Sequence, residues 1–571
     1  MPERTTYIMT RSLRNALVAF LTAAAIIGLT ISNGVWHGLH HTMPFTQSDQ
    51  TAIAIALSNV VYGTKFGYVG IKQVQDKLTE YWIRMSQDPN DVANLRANHR
   101  DAERLNAGIR AAASIPKPTS GFISDGTLIT LNGEDIGQVD YAAIAFFLFG
   151  LSTQSLYFFY FAIIGLSALI FILMFRDNVY ALAVLLCTIS AYFVEQQLAV
   201  FNDPATPTYF GIQHGATIGL IATWNFAFLL LLKPRPTFWT VMGTLVQLAI
   251  LLLAWRIRAA SFWTLLFLLI VAFIMAWAGA RSTASSEQRQ PKRWVWSGQA
   301  LWRRIDVWVK TIASVADGML RWPVWLLLIG LVANSFYDRM ALHPVYFTDD
   351  VMAGQGIWAQ AYHGLAVYDK RVLRPSVAPA GEKPGADPDV TWWGAREYMD
   401  RIRLSPWDGQ YIARPALGLW SEWVGVGARE RMIDRMARGA FVEAVKSYPG
   451  RVLKIYFVEK PKHIVSTLAS AFNSSEKTRW LLSMLIAGGG VGAFLIYFGD
   501  QNSRALHDVL WLSAGAMLIS VLPNIWAFAS PATMVESTLL LVSCFNLIIG
   551  IAIAMLWARY AGATHKGGRG S

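Results

Sequence analysis

With 54% hydrophobic and only 15% charged residues over 571 positions, and a mean hydropathy of +0.36, the chain excludes an ordinary set of water-soluble domains and reads as a membrane protein. Its 49 Lys and Arg against 37 Asp and Glu leave a net charge of +12, but the basic residues gather beside apolar stretches. They read as topology determinants facing anionic lipid, and no nucleic-acid partner is expected. Cys187 and Cys544 both fall inside apolar stretches, which excludes a disulfide framework and a thiolate metal site.

Runs of about 17 to 25 apolar residues, the length a helix needs to cross ~30 Å of hydrocarbon, predict an all-α polytopic fold with about ten spans. The first, 13–32, follows Arg4, Arg11 and Arg14. Its small-residue run Ala23 to Ala25 lies mid-span, so residues 1–32 read as a retained signal anchor. Residues 33–152 form a first large hydrophilic region. In it 50–62 is a short apolar helix, and Val74, Leu78 and Trp82 recur on a second helix at four-residue spacing. Asp88 and Pro89 open a third, with Leu95, Ala102, Leu105 and Ile109 on one face and Pro116 closing it. These are expected to be amphipathic helices lying on the bilayer or against the spans. After the turn-rich stretch from Lys117 to Gly137 comes a short apolar helix, Tyr141 to Phe149.

Residues 153–279 hold five spans at 153–175, 178–197, 212–232, 237–255 and 260–279, and a basic loop at 280–320 precedes a seventh span at 321–337. A second large hydrophilic region, 338–478, has a loop around Pro375 to Asp389, an amphipathic helix at 427–447, and another helix from Pro449 towards Lys460 and Pro461. Spans 479–498, 507–528 and 533–557 and a basic tail, 558–571, complete the chain. Arg176, Lys233, Arg235, the 280–320 loop and the tail place both termini in the cytoplasm and both hydrophilic regions outside. Arg256 and Arg258 conflict with this rule, in a very short outer loop.

The order of elements, a single span, an outer acidic residue, interfacial helices and then packed spans, resembles the GT-C glycosyltransferases. The local resemblance rests on Phe45-Thr46-Gln47-Ser48-Asp49-Gln50-Thr51-Ala52, on Glu134 to Tyr141, and on Phe146 to Gly150, with a looser likeness in Phe441 to Pro461. It covers mainly residues 10–235. It implies a multi-pass protein of a bacterial inner membrane that contacts membrane lipids. It further implies transfer of a sugar from a polyprenyl-phosphate donor to a glycan, lipid or protein acceptor on the outer face, with Asp49 in the position of the catalytic carboxylate.

Such transfer needs a base for the acceptor hydroxyl and positive groups for the departing phosphate. Asp49, about 17 residues past the first span, suits the base; the structural alternative is that Ser48 or Asp49 caps the helix beginning near Gln50. Asp135 and Asp140, with Gly137 as a turn between them, are open to three readings: acceptor binding, a divalent metal ion, or the base in place of Asp49. A solvated turn capping the 141–149 helix is the fourth. Lys65, Lys72, Arg84 and Arg339 are candidates for the carrier phosphate, against snorkelling at the interface. Glu195, His214 and Glu536 sit near span ends, where an ionisable group faces a cavity or a partner. Asp349-Asp350 and the His37, His40 and His41 cluster lack spacing for a metal, and Trp36, Trp392, Trp393 and Trp407 are as well explained by aromatic belts as by sugar stacking. A non-enzymatic scaffold or assembly factor is the second reading. A transporter is the third, disfavoured because no repeat of hydropathy is visible.

Overall fold

The computed structural model describes residues 2–31, 47–63, 67–82, 100–116, 128–131, 135–201, 212–232, 234–288, 321–343, 346, 357–366, 368, 426–471, 477–499, 503–526 and 534–567. In chain order they form α1 (Pro2–Leu29), α2 (Gln47–Tyr62), β1 (Val69–Ile71), α3 (Lys72–Trp82), α4 (Arg100–Ala113), β2 (Leu128–Thr130), α5 (Gly137–Phe149), α6 (Gln154–Phe175) and α7 (Val179–Phe201). A short turn, Ile212–Ile218, leads into α8 (Gly219–Leu232) and α9 (Phe238–Ile257), and another, Ala259–Phe262, into α10 (Trp263–Gln288). The rest is α11 (Trp322–Ala341), α12 (Ile357–Ala366), α13 (Val426–Ser447), α14 (Pro449–Lys454), a π-turn (Ile455–Glu459), α15 (Lys460–Ala471), α16 (Lys477–Phe498), α17 (Ser503–Ser520), α18 (Leu522–Trp526) and α19 (Val535–Gly567).

Eight of these helical stretches are long and apolar enough to cross a membrane, so the chain is a multi-pass integral membrane protein that contacts lipid. The other two expected spans are α7, which is apolar over Val179–Val194, and α11. α11 ends in Asn334, Ser335, Asp338 and Arg339, which interrupt its hydrophobic run.

A helical cap covers one end of the bundle. α2 is its centre: Ala52 to Leu57 are all at most 1% exposed, packed against α5, α3, α4 and β1. The expectation of an amphipathic interfacial helix fails here, because an Ala/Ile-rich sequence that is apolar all round is stable only when covered all round. Full burial of Ile53, Ile55 and Leu57 contributes roughly 1.5–3 kcal/mol each. α3 and α4 do present one apolar face, with Val74, Leu78, Ile109 and Ala112 buried. α4 also reaches the spans, since Asn106 Oδ1 accepts from Thr153 N at 2.9 Å and so ties α4 to the start of α6.

The turn-rich stretch hides a strand. β2 pairs antiparallel with β1, Gly70 opposite Ile129, in a two-stranded ribbon. Three-residue strands carry too little alternation to be read from sequence. The turn before β1 is fastened to the end of α11: His343 N donates to Gly67 O at 2.9 Å, and Tyr346 Oη donates to Tyr68 O at 2.6 Å while accepting from Leu131 N at 2.9 Å. Gly67 is required there, because its φ is +58° and a Cβ would lie 2.6 Å from Ala341 O.

A second cluster is built from α12, α13, α14 and the π-turn around Tyr362, Leu365, Phe441 and Ile455. Trp526, at the end of a span, pins it: its ring lies 5.8 Å from Trp358 and 5.7 Å from Phe441, and its Nε1 donates to Ile357 O at 3.2 Å. The helix opened by Pro449 does not stop at Pro461. It continues to Ala471 through the π-turn Ile455–Glu459. A proline removes one N–H and crowds the carbonyl four residues back, and a wider turn just before it relieves that clash.

Candidate functional site

Among the described residues, a dense set of polar contacts lies where α5, α9, α11 and the β1 turn meet. Arg256 occupies the last turn of α9, Asp140 the first turn of α5, and Asn334 and Asp338 one helical turn apart on α11. Arg256 Nε and Nη2 donate to Asp140 Oδ2 at 2.8 and 2.7 Å. Its Nη1 donates to Asn334 Oδ1 at 3.1 Å and to Asp338, and its Nη2 also donates to Tyr68 Oη at 2.6 Å. Tyr68 Oη in turn donates to Asp140 Oδ1 at 2.7 Å, and the guanidinium lies 5.0 Å from the centre of the Tyr337 ring.

Two local features place these groups. Tyr68 holds φ at +66°, which turns its side chain towards Asp140 instead of along the strand. Gly137 lets α5 touch the backbone of α9; a Cβ there would lie 2.2 Å from Arg256 C and 2.3 Å from Ile257 N. Its role is therefore close approach, and the expected turn between Asp135 and Asp140 is instead the start of α5.

Burial pushes the Asp140 carboxyl above the usual carboxylate range, and the neighbouring Arg256 and the Tyr68 hydroxyl pull it back. Burial, followed by the Asp140 charge, pushes Tyr68 far above the ordinary phenol. One cation faces two carboxylates whose side chains are 20% and 28% exposed, so the node carries more negative than positive groups. All three guanidinium nitrogens and both Asp140 oxygens have protein partners. Such a site orients and holds, since its polar atoms are already engaged with one another.

The other candidates fall elsewhere. Asp135 is buried, and its Oδ2 accepts from Ala259 N at 2.9 Å, so it caps the Ala259–Phe262 turn and not the α5 helix. Asp135 and Asp140 thus face different partners. Asp49 stands in α2, which already includes Gln47 and Ser48, so neither Ser48 nor Asp49 is its cap; the side chain of Asp49 lies outside the described residues. Asp49 is nine residues, roughly 13 Å of helix, from Ser58, which holds Ile71 N at 3.1 Å beside the Tyr68 turn. Lys72 is the exposed first residue of α3, and Arg339 is exposed in the last turn of α11. Lys65, Arg84, the three histidines, the paired Asp349 and Asp350 and the four tryptophans lie outside the described residues, as do the side chains of Glu195 and His214. Glu536 is buried and accepts from Ser261 Oγ and Trp263 Nε1, joining α19 to α10. Among the described residues no group of three His, Cys, Asp or Glu is arranged to hold a metal ion.

Sequence reasoning missed Arg256 as a site residue, along with Tyr68, Asn334 and Asp338. The signal was present: Arg256 conflicted with the expected topology, and an arginine so placed needs an acidic partner. Lys460 was missed too. It is fully buried, donates to Ile525 O at 2.8 Å and Trp526 O at 3.1 Å, and lies 4.1 Å from the Tyr456 ring centre; burial brings it down to about 7. No family model, no curated protein and no solved structure matches the chain.

Proposed function

We propose that this protein is a membrane glycosyltransferase of the GT-C kind, moving a sugar from a polyprenyl-phosphate carrier to an acceptor at the outer face of a bacterial inner membrane. In this reading the chain has ten spans with both termini in the cytoplasm, α7 and α11 being the two spans added to the eight. The observation that supports it best is the mounting of Asp49: its helix α2 is buried from Ala52 to Asn59 and rests on α5. A reacting carboxylate needs such a rigid seat. Asp49 takes the proton of the acceptor hydroxyl, the acceptor oxygen bonds to the anomeric carbon, and the bond from that carbon to the carrier phosphate oxygen breaks, the phosphate leaving as an anion. An apolar groove of about 790 Å³ between α1, α7 and α16, lined by Leu17, Leu21, Phe193, Ile486 and Phe494 among others, offers room for an isoprenoid chain within the bilayer. The reading also tolerates Arg256 in an outer loop, because that arginine carries two carboxylates with it.

One observation favours the scaffold reading instead: the Arg256 node is satisfied by its own groups, as a structural joint would be. The two readings part on Asp49→Asn, which keeps the shape of the side chain but removes the basic carboxylate. With unchanged thermal unfolding in detergent, sugar transfer or complementation of a deletion strain is expected to fall by ~10² to 10⁴. A folded variant with full activity overturns the assignment of Asp49.

A further inference from the structure

The continuous helix formed by α14, the π-turn and α15 leaves one face uncovered. Val452, Ile455, Lys460 and Ile464 are buried against α13 and α18, whereas Leu453, Phe457, Val458 and Val465 point outward, Phe457 being 74% and Val465 65% exposed. Positions 453, 457, 461 and 465 follow one another at four-residue spacing, so the exposed residues form a stripe along the helix and not scattered points. A second row alternates Lys454, Val458 and Lys462 beside it, with Lys454 and Lys462 exposed.

The position of this stripe is fixed by Trp526. That residue ends a membrane-crossing stretch, Ala505–Trp526, and the helix is fastened to it directly: Lys460 donates to the carbonyls of Ile525 and Trp526, and the Tyr456 and Trp526 rings lie 6.3 Å apart. The helix therefore runs at the depth where hydrocarbon gives way to headgroups, the depth at which Trp and Tyr collect. The charges around the stripe are mainly basic. Lys446, Arg451, Lys454 and Lys462 face Glu443 and Glu459, and Glu459 is already paired with Lys454 at 3.4 Å.

We infer that α14 and α15 form an interfacial arm whose Leu453, Phe457, Val458 and Val465 stripe is seated in the bilayer surface beside Trp526, with Arg451, Lys454 and Lys462 engaging anionic phospholipid headgroups. Apolar side chains buried at the acyl boundary and lysines snorkelling outward are the two halves of such binding. The arm keeps the second cluster pressed on the membrane, and this holds whether or not the chain transfers sugar.

The test is a depth measurement on the full-length chain. Cys187 and Cys544 are buried, so a thiol-reactive NBD dye goes to an introduced cysteine, with mock-labelled native protein as the blank. Phe457→Cys and, independently, Val465→Cys are labelled and reconstituted into phosphatidylcholine vesicles with and without phosphatidylglycerol. The expected result is blue-shifted emission quenched by doxyl-labelled lipid and protected from aqueous iodide, with a further shift to the blue on adding phosphatidylglycerol. That further shift is lost when Arg451, Lys454 and Lys462 are all changed to Gln. Quenching by iodide at both positions overturns the arm. Dye self-quenching that rises with protein-to-lipid ratio, with no effect of doxyl lipid, shows a second copy on the stripe and overturns it equally. An unchanged spectrum on adding phosphatidylglycerol overturns the headgroup assignment.

Discussion

Replacing Arg256 by Met tests whether the node is what joins the cap to the spans. The guanidinium side chain is 9% exposed, and its loss leaves the Asp140 and Asp338 carboxylates, 20% and 28% exposed, without their cation. Breaking a buried pair from one side typically costs 3–5 kcal/mol, and the residual exposure of both carboxylates puts this case at the lower end, ~3 kcal/mol. At 1.4 kcal/mol per tenfold, that is roughly a hundredfold more frequent local opening. Hydrogen exchange followed by mass spectrometry in detergent or nanodiscs reads it directly, in peptides covering β1 and α5. Burial already holds Asp140 above the usual carboxylate range, with Arg256 opposing. A folded value above the unfolded one gives a contribution that is complete at acid pH and lost as pH rises through the folded value. Without Arg256 the opposing pull is gone, so the variant should recover protection on acidification. Adding Asp140→Asn should recover part of it at neutral pH, because one orphan charge is then removed. Exchange in β1 and α5 within about threefold of the native chain at pH 7 would refute the reasoning, since that is under 1 kcal/mol.

Gly137→Ala forces a Cβ against the backbone of Arg256 and Ile257 and should lower stability by ~1–3 kcal/mol or more, seen as loss of the folded peak in size-exclusion chromatography or an earlier thermal transition. Lys460 lies at about 7 when folded against 10.5 in an unfolded chain, so between those values the unfolded state holds a proton that the folded one has released. Protection of α15 should therefore rise with pH across that window, and Lys460→Met should flatten the dependence; a native profile equally flat would show that the buried amine does not titrate there. Cysteine labelling in intact cells should find residues near 110 and 385 accessible from outside and residue 290 protected, and the opposite pattern at any of them refutes the ten-span topology.

Hydropathy and length alone determined that this is a multi-pass membrane protein, and helix punctuation located most of its elements. Gly150 ends α5, Pro449 starts α14, and the apolar run at 50–62 is α2, because these depend on neighbours along the chain. Which surface of α2 is buried could not be read, since an all-round apolar helix has no face to reveal until others cover it. The β1–β2 ribbon escaped because its strands lie more than fifty residues apart and are three residues long. The site was legible in part: Asp140 stood out as an outer carboxylate, and Arg256 as a charge on the wrong side. That the two cancel each other, with Tyr68 and Asp338 completing the set, follows from contacts across 116, 72 and 82 residues of chain. Such contacts are created only when α5, α9 and α11 pack. A charge next to a span can be read from sequence, but its partner across the bundle is chosen by tertiary structure, where burial makes leaving it unpaired too costly.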